Sequence, residues 1–346
     1  MSLYQIQNTV YVMTPQAYAH LDNGTVRIEV ERETKLRVPL HHVGGLVCFG
    51  NVLVSPALMH RMADEGRALV LLDRFGRFKA RLEGPVSGNI LLRRAQHRAA
   101  DDAAASLSLA SALLLGKLRN SRTLLLRGGR EAAQDADAEV LKRTAANLAA
   151  AVRALAKASD LDALRGIEGE AARGYFNAIN HIVKPKLREH FQLDGRTRRP
   201  PRDRFNALLS FLYSMLMNDC RSAIEAVGLD AQLGFLHAVR PGRAALALDL
   251  QEEFRAVLAD RLALTLINRG QLTRKDFEER DGGAVLLNDQ GRRTVVTAWQ
   301  ERKQEEIQHP LLDTKVPIGV LPLLQARLLA RMLRGDLPAY TAFLTR

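Results

Sequence analysis

Several segments within residues 1–90 carry hydrophobic side chains at every second position, which is the pattern of a β-strand with one buried face. The alternation is clearest over residues 26–30 and 36–40. Further strands are predicted at residues 9–13, 45–49, 68–72 and 77–82. One helix interrupts them, because Ser55 can cap its start and Gly66 can end it. We therefore predict a small, mostly antiparallel, β-sandwich-like domain over residues 1–90.

From residue 91 onward the chain is rich in Ala, Leu and Arg and shows helical rather than alternating periodicity. Helices are predicted at residues 103–118, 132–156 and 205–227. The last of these is apolar on almost every side, which is typical of a helix buried at the centre of a domain. A Gly-Gly pair at residues 282–283 is most simply part of a hairpin turn. The fold class is accordingly α+β, with a larger all-α domain over residues 91–346.

Composition and charge narrow the class of protein. Of the 346 residues, 47% are hydrophobic and 25% are charged, which excludes collagen, a disulfide scaffold and a membrane bundle. Cys48 and Cys220 lie in apolar runs, so we expect buried, reduced thiols and a cytoplasmic protein. The first residues lack the pattern of a secretory signal, which favours the same location. The net charge of +12 suits a polyanion such as nucleic acid, although a merely basic enzyme remains the alternative.

One stretch concentrates this positive charge. Residues 184–204 hold eight Lys and Arg residues against three acidic ones. Their Pro-Pro pair and Gly195 predict a mobile loop, which suits contacts to phosphates better than reading of bases. The alternative is an ordinary solvated surface. The candidate DNA contacts in this stretch are Lys184, Lys186, Arg198, Arg199 and Arg202.

A first candidate for chemistry is Glu168. If residues 166–182 form a helix, Glu168 shares a face with Ala171 and Tyr175 and lies on an apolar stripe. A buried carboxylate there needs a cation, a cluster of donors or a metal ion to offset its lost hydration. The alternative is a glutamate in the first helical turn, stabilised by the helix dipole.

Further candidates follow along the chain. His237 precedes a Pro-Gly turn, where a structural histidine is the ordinary alternative. Asp249 and Glu252 are three residues apart, so a helix would place them on one face as paired ligands, unless they form an exposed acidic turn. Helix geometry alone puts Glu253, not Glu252, nearest the apolar stripe. One imidazole with two or three carboxylates suits Mn²⁺ or Mg²⁺, and such an ion beside a basic stretch points to phosphodiester chemistry.

The same segments, in the same order, resemble a known family. They read Gly-Ile-Glu-Gly-Glu-Ala-Ala-Arg-Gly-Tyr-Phe at 166–176, Gly-Phe-Leu-His at 234–237 and Leu-Asp-Leu-Gln-Glu-Glu-Phe-Arg at 248–255. This pattern is similar to the signature of the CRISPR adaptation integrases, the Cas1 family. The resemblance covers essentially the whole chain and includes the junction at Gly88 and Asn89. Within this family, the sequence is most similar to the members that act beside a type I-C effector.

The resemblance implies a metal-dependent DNA endonuclease and integrase that inserts short foreign DNA fragments (spacers) into a CRISPR array. In this reaction the 3′-hydroxyl of the fragment attacks a phosphodiester at the repeat boundary, without ATP. The resemblance also implies Mn²⁺ or Mg²⁺ bound by Glu168, His237 and Glu252, with Asp249 as a neighbouring catalytic acid. The implied partners are double-stranded DNA (foreign fragments and CRISPR repeat), a second copy of the chain paired through the N-terminal domain, and Cas2, a small ferredoxin-like protein.

Two other functions fit the sequence. A stand-alone repair nuclease acting on branched DNA would need the same metal site. A non-catalytic DNA-binding scaffold would not need it, and the presence of Glu168, His237 and Glu252 argues against that role. Arg243 and Arg255 join the basic stretch as candidate contacts to the DNA backbone, and DNA shape rather than base contacts is expected to guide the choice of sequence.

Overall fold

The computed structural model describes residues 8–82, 84 and 90–345. The chain divides into two compact units, Met1–Ser87 and Gly88–Arg346. The predicted junction residues Gly88 and Asn89 lie outside the described residues.

The first unit contains two four-stranded sheets and one helix. Its elements are β1 (Asn8–Val12), β2 (Tyr18–Asp22), β3 (Thr25–Val30), β4 (Glu33–Pro39), β5 (Val43–Phe49), β6 (Leu53–Val54), α1 (Pro56–Asp64), β7 (Ala68–Leu72) and β8 (Phe78–Leu82). One sheet has the order β1-β5-β7-β8 and the other has the order β4-β3-β2-β6. The prediction of mostly antiparallel strands is right for the pairs β2–β3, β3–β4 and β7–β8 but wrong for β1–β5, β5–β7 and β2–β6, which are parallel. The reason is that β2 to β4 separate β1 from β5 in the chain, and α1 lies between β5 and β7, so both connections can cross over.

The core of the first unit draws on both sheets and the helix. Val26 of β3, Leu46 of β5 and Leu58 of α1 belong to one buried hydrophobic cluster, which accounts for the predicted sandwich-like pattern. Helix α1 forms as predicted, since the Ser55 side chain accepts a hydrogen bond of 3.2 Å from the Leu58 N–H. Gly66 follows the helix with a φ of +63°, a conformation that glycine adopts without strain.

The second unit is mostly helical. Its helices are α2 (Ile90–Asp101), α3 (Ala103–Glu131), α4 (Asp135–Leu155), α5 (Leu161–Ala178), α6 (Pro185–Phe191), α7 (Arg204–Ala226), α8 (Ala245–Gln251), a π-helix (Arg255–Asp260), α9 (Arg261–Asn268), α10 (Asp289–Gln304) and α11 (Leu321–Leu333). Its strands are β9 (Phe277–Arg280), β10 (Ala284–Leu287), β11 (Glu306–His309) and β12 (Thr314–Pro317). The strands form two antiparallel hairpins, of which β9–β10 has the predicted turn. The expected all-α domain is therefore corrected by these short hairpins, whose four-residue strands are too brief for periodicity to reveal.

Two long helices position the functional residues. Helix α7 is buried along most of its length, as its sequence predicts, and begins where the Asp203 side chain accepts a hydrogen bond of 2.7 Å from Asn206 N–H. Helix α3 continues well beyond the predicted end at residue 118 and reaches Glu131. Residue 128 of this helix is a glycine, and the side chain of Ile182 packs against it. A Cβ at this position would lie only 2.7 Å from Ile182, so the packing requires glycine.

Both cysteines are buried free thiols, as predicted. Burial raises the pKa of the Cys48 thiol to about 12. Within the described part of the chain, no single helix is long and apolar enough to cross a membrane, and only the bent pair α2 and α3, meeting at 96°, reaches the required length and composition together.

Candidate active site

The structure brings Glu168, His237 and Glu252 to one place, although they come from three segments far apart in the chain. Glu168 lies on α5, and Glu252 directly follows α8. The Lys117 ammonium on α3 pairs with Glu168 Oε1 and lies 2.8 Å from Glu252 Oε2. His237 Nε2 is 3.9 Å from the other Glu252 oxygen. These side chains and Arg255, which approaches Glu252 Oε1 at 3.0 Å, are called the charged cluster below.

An irregular helix sets the direction of Glu252. Helix α8 ends at Gln251, a turn covers residues 252–254, and the π-helix Arg255–Asp260 follows. Such π-helical turns interrupt regular helix geometry and are frequent at functional sites. Glu252 enters the charged cluster, whereas Glu253 is fully buried elsewhere, with its carboxylate bonded to Gln325, Tyr340 and Phe343. The prediction for Glu253 assumed a regular helix, which the turn at residues 252–254 replaces, and the residue that contacts Lys117 and lies beside His237 is Glu252.

Asp249 holds His237 from the side opposite Glu252. The carboxylate of Asp249 is fully buried and lies 2.6 Å from His237 Nδ1. It also accepts hydrogen bonds from the backbone N–H groups of Phe235, Leu236 and His237 at 2.6, 3.0 and 2.9 Å. Gly234 permits this approach, because a Cβ there would lie 2.6 Å from the Asp249 carboxylate. The expectation that Asp249 and Glu252 form paired ligands is therefore corrected: they flank the two nitrogens of one imidazole.

Nearby cations keep Glu252 ionised despite its burial. Its side chain is 3% exposed. Burial by itself raises its pKa, but Arg255, Lys117 and His237 outweigh that effect and hold the pKa at about 2. Arg255 is half-buried, with its side chain 13% exposed, and its guanidinium lies 4.8 Å from the centroid of the Tyr213 ring. The Arg255 guanidinium thus belongs to the charged cluster and not to the exposed basic stretch, and its contact with the DNA backbone stays a prediction.

The donor set of the charged cluster fits a divalent cation. As the side chains stand, no group of three or more His, Cys, Asp and Glu residues in the described ranges is arranged to hold a metal, and Lys117 lies between the two carboxylates. Buried Glu252 Oε2 has this ion pair but no hydrogen bond within the part of the chain described. His237 has its Nδ1 engaged by Asp249, the arrangement usual for a metal-binding imidazole. Two carboxylates and one imidazole suit Mn²⁺ or Mg²⁺.

A second layer of polar residues supports the cluster. Asp260 is buried and accepts hydrogen bonds of 2.6 Å from both the Tyr175 and the Tyr213 hydroxyl groups. Burial raises the pKa of Asp260, and the two tyrosine hydrogen bonds oppose this rise. These three residues line a pocket together with Lys117 and Arg255. The pocket gives the charged cluster one side that is partly apolar and partly aromatic.

Comparison with known proteins identifies the family of the chain. A family model described as CRISPR associated protein Cas1 matches residues 10–301. The chain belongs to this family. A relative from Moorella thermoacetica, named CRISPR-associated endonuclease Cas1 1, is 53% identical over 344 residues, covering 99% of this chain and 100% of the relative.

Solved structures share the Cas1 fold. A casposase bound to integration product has a TM-score of 0.81 at 22% identity, covering 96% of this chain and 92% of that chain. A chain of a Cas6-RT-Cas1–Cas2 complex has a TM-score of 0.81 at 23% identity, covering 97% of this chain and 36% of that chain. The predicted Cas1 resemblance is confirmed by the family model and by the Moorella relative, and these two matches favour a CRISPR-associated endonuclease over the repair nuclease and the scaffold.

Part of the basic stretch of this Cas1 chain is helical, which corrects the expected loop at residues 185–191, whereas residues 192–203 lie in no helix or strand. Residues 185–191 form α6, and Arg188 donates to the buried carboxylate of Asp137 and to Val183 O at 2.9 Å. Arg196 donates to Asn206 Oδ1 at 2.7 Å and lies 5.3 Å from the Tyr213 ring centroid. Several of the basic residues therefore stabilise the fold.

The other predicted DNA contacts divide into two groups. The side chains of Lys184, Lys186, Arg198 and Arg199 are exposed, as contacts to phosphate require. Arg202 is exposed as a residue, but its guanidinium donates a hydrogen bond of 2.5 Å to Gly282 O, and Arg243 is half-buried near Ala238 O. The exposed group is the part of the stretch that is accessible to a DNA backbone.

Sequence reasoning missed Lys117, Tyr213 and Asp260. Lys117 had one signal, since it is the single charge within the apolar run 112–118. Such a lysine needs a partner of opposite charge, and in the structure it has two, Glu168 and Glu252. Asp260 and Tyr213 carry no comparable local pattern, because their contacts depend on how α7 packs beside the π-helix.

Proposed function

We propose that this Cas1-family chain is a metal-dependent DNA endonuclease and integrase that inserts short foreign DNA fragments into a CRISPR array. The observation that carries the proposal is the convergence of Glu168 and Glu252 on one cation, the Lys117 ammonium, beside the Nε2 atom of His237. The 53% identity to a CRISPR-associated endonuclease over nearly the full length supports the same activity.

Glu168, His237 and Glu252 would hold Mn²⁺ or Mg²⁺. When bound, such an ion stabilises the charge that builds on the phosphoryl oxygens and contributes several kcal/mol to catalysis. Asp249 fixes the orientation of the His237 ring through Nδ1, which leaves Nε2 directed toward Glu252. Asp249 is thus a positioning residue rather than a catalytic acid in contact with substrate.

The proposed reaction is a transesterification. The 3′-hydroxyl oxygen of the incoming fragment loses its proton and forms a bond to phosphorus at the repeat boundary. The bond from phosphorus to the 3′-oxygen of the adjoining nucleotide breaks, and that oxygen takes up a proton and leaves as a 3′-hydroxyl. One phosphodiester replaces another, so the step needs no ATP. Lys117 and Arg255 supply two positive charges beside the carboxylates, where they can face the oxygens of the reacting phosphate.

Several partners belong to the same proposal. Double-stranded DNA, as foreign fragment and as CRISPR repeat, would contact the exposed side chains of Lys184, Lys186, Arg198 and Arg199. A homodimer would form through the N-terminal unit, and Cas2 would join two such dimers. The fold shared with a chain from a Cas1–Cas2 complex supports this assembly. The proposed location is the cytoplasm, because it contains the CRISPR array and keeps thiols such as those of the two buried cysteines reduced.

The test is joining of a labelled duplex to a plasmid that carries a CRISPR repeat, with Cas2 present and Mn²⁺ as the ion. Glu168→Gln and His237→Ala should each abolish joining while DNA binding survives, because both remove an ion donor and leave the basic surface intact. Glu170→Gln is the matched control, since Glu170 is an exposed acid on the same helix, two residues from Glu168. Full joining by Glu168→Gln and His237→Ala would refute the proposal.

The choice of DNA substrate distinguishes the proposed integrase from a stand-alone repair nuclease. Cleavage of branched DNA without any joined product would indicate a stand-alone repair nuclease. Joining at the repeat boundary, lost in the Glu168→Gln variant, would establish integration.

A further inference from the structure

Glu253 is held by donors from a distant part of the chain. Its carboxylate is fully buried, and Phe343 N–H and Gln325 Nε2 donate to Oε2 at 2.7 and 3.0 Å. The Tyr340 hydroxyl donates to Oε1 at 2.5 Å. Gln325 lies on α11, and the other two residues lie in the segment of residues 340–345, called the 340–345 segment below. Thus the residue beside the proposed ligand Glu252 is fixed by α11 and this segment.

Asn120 ties the same segment to the helix that carries Lys117. Its Nδ2 donates to Glu253 O and to Phe343 O, both at 2.8 Å. Its Oδ1 accepts from the backbone N–H of Thr345 at 2.9 Å. Because Asn120 follows Lys117 by three residues on α3, the two side chains project from neighbouring positions of one helix face. One amide therefore connects α3, the turn at Glu253 and the 340–345 segment.

The packing at Gly116 shows that this connection is close. A Cβ at Gly116 would lie 2.9 Å from the Ala342 Cβ and 3.0 Å from the Glu253 Cγ. The first distance is shorter than real Cβ contacts and the second is tighter than most of them, so the segment and Glu253 pack directly against α3. Phe343 is fully buried and its ring lies 6.1 Å from that of Phe254, the last residue of the same turn.

We propose that the 340–345 segment is a clasp that positions Glu252 for metal binding, with Tyr340 and Glu253 as its positioning residues. This inference rests on the proposed metal-dependent function. The turn at residues 252–254 lies between α8 and the π-helix, so regular helix geometry does not fix its side chains. The contacts to Glu253 supply that constraint: they hold one side of the turn in the core and leave Glu252 facing Lys117 and His237.

The test measures Mn²⁺ affinity of the full chain without DNA, from the electron paramagnetic resonance signal of free Mn²⁺ during titration. Tyr340→Phe and Glu253→Gln should each weaken Mn²⁺ binding by roughly tenfold, the lower end of the range for partners that bond a metal ligand directly, because both residues act on Glu252 only through the turn. Amide hydrogen exchange over residues 252–258 should rise in both variants. Thr341→Ala is the matched control, because Thr341 is exposed within the same segment and should leave affinity and exchange unchanged.

The outcomes separate the clasp from the metal site itself. If Glu252→Ala lowers Mn²⁺ affinity but Tyr340→Phe and Glu253→Gln bind Mn²⁺ as the unmodified chain does, the clasp is refuted and the metal site stands. If Glu252→Ala also binds Mn²⁺ normally, the proposed metal site fails, and the clasp fails with it. A variant that melts at a lower temperature but keeps normal Mn²⁺ affinity well below its melting temperature counts against the clasp, since it shows a purely structural role.

Discussion

Replacing Lys117 by methionine tests whether the ammonium group occupies the position of the cation. Methionine keeps an unbranched, apolar side chain of similar length, so the change removes the charge and little of the packing. In the structure the Lys117 ammonium contacts both Glu168 and Glu252 and its side chain is 10% exposed. Lys117→Met therefore leaves two carboxylates facing a position that no longer holds a positive charge.

The burial of these side chains determines how much Lys117→Met should lower the free energy of unfolding. Removing one partner of a fully buried ion pair costs about 3–5 kcal/mol. Here the Glu168 side chain is 30% exposed, and Arg255 still balances Glu252, so we expect a loss of about 2 kcal/mol in the free energy of unfolding without metal. Mn²⁺ binding should become roughly tenfold tighter, because the ion no longer displaces or faces the ammonium. At a saturating Mn²⁺ concentration that change adds ~1.4 kcal/mol to the stabilisation by metal.

The assay is isothermal titration with Mn²⁺, combined with denaturant unfolding in the presence and absence of the ion. Lys142→Met is the matched control, since Lys142 is an exposed lysine on α4 and should change neither quantity. Strand transfer by Lys117→Met should fall even though the metal binds more tightly, since the reacting phosphate loses one of its two cations. Unchanged Mn²⁺ affinity together with unchanged stability would show that Lys117 does not share the cation position, and the reasoning would be refuted.

Three further predictions follow from single contacts. Asp249→Asn should weaken Mn²⁺ binding by about 10–100-fold, because an amide cannot accept all the bonds that fix the His237 ring; titration calorimetry would measure this, and normal affinity would contradict the assigned orientation. Arg198→Ala combined with Arg199→Ala should reduce the slope of log affinity for DNA against log salt by roughly 1.8, about 0.9 for each phosphate contact; an unchanged slope would remove both residues from the DNA path. The hydrogen bond from Arg188 lowers the pKa of the Asp137 carboxyl below its ordinary value of 3.8; burial opposes this shift, and His181 adds to it. The ionised Asp137 carboxylate therefore stabilises the fold fully above pH 3.8, and this stabilisation is lost as the pH falls through the lower pKa of the native state. Asp137→Asn should therefore reduce the loss of unfolding free energy below pH 3.8 in acid titrations, and an identical acid dependence would count against that ion pair.

Regular periodicity predicts the framework of this fold because burial requires it. The alternation at Val26 and Ile28 appears as one buried face of β3, and the apolar run of α7 appears as a central helix. Strand direction could not be predicted in the same way, since an alternating pattern is identical for parallel and antiparallel neighbours. The parallel pairing of β1, β5 and β7 depends on how the segments between these strands cross over the sheet, and the sequence of a single strand does not contain that information.

In the candidate site, too, some residues could be predicted from the sequence and others depend on tertiary contacts. Glu168, His237 and Glu252 could be named from their motifs, and the structure places them together. The role of Asp249 could not be predicted, because helix spacing ignores the turn that carries His237 back onto the Asp249 carboxylate. Glu253 was equally ambiguous, since its three donors come from residues at least 72 positions further along the chain.

The charge balance of the cluster also bears on the order in which ion and DNA bind. Glu168 and Glu252 carry two negative charges, and Lys117 and Arg255 carry two positive ones, so these four side chains, with a neutral His237 beside them, sum to −2 + 2 = 0. A cluster without net charge attracts a phosphodiester weakly, whereas a divalent ion raises the sum to +2 and favours the anion. The phosphate in turn offsets the repulsion between the ion and the two side-chain cations. Because such coupling is reciprocal, we expect a bound metal ion and bound DNA each to raise the affinity of the site for the other by the same factor.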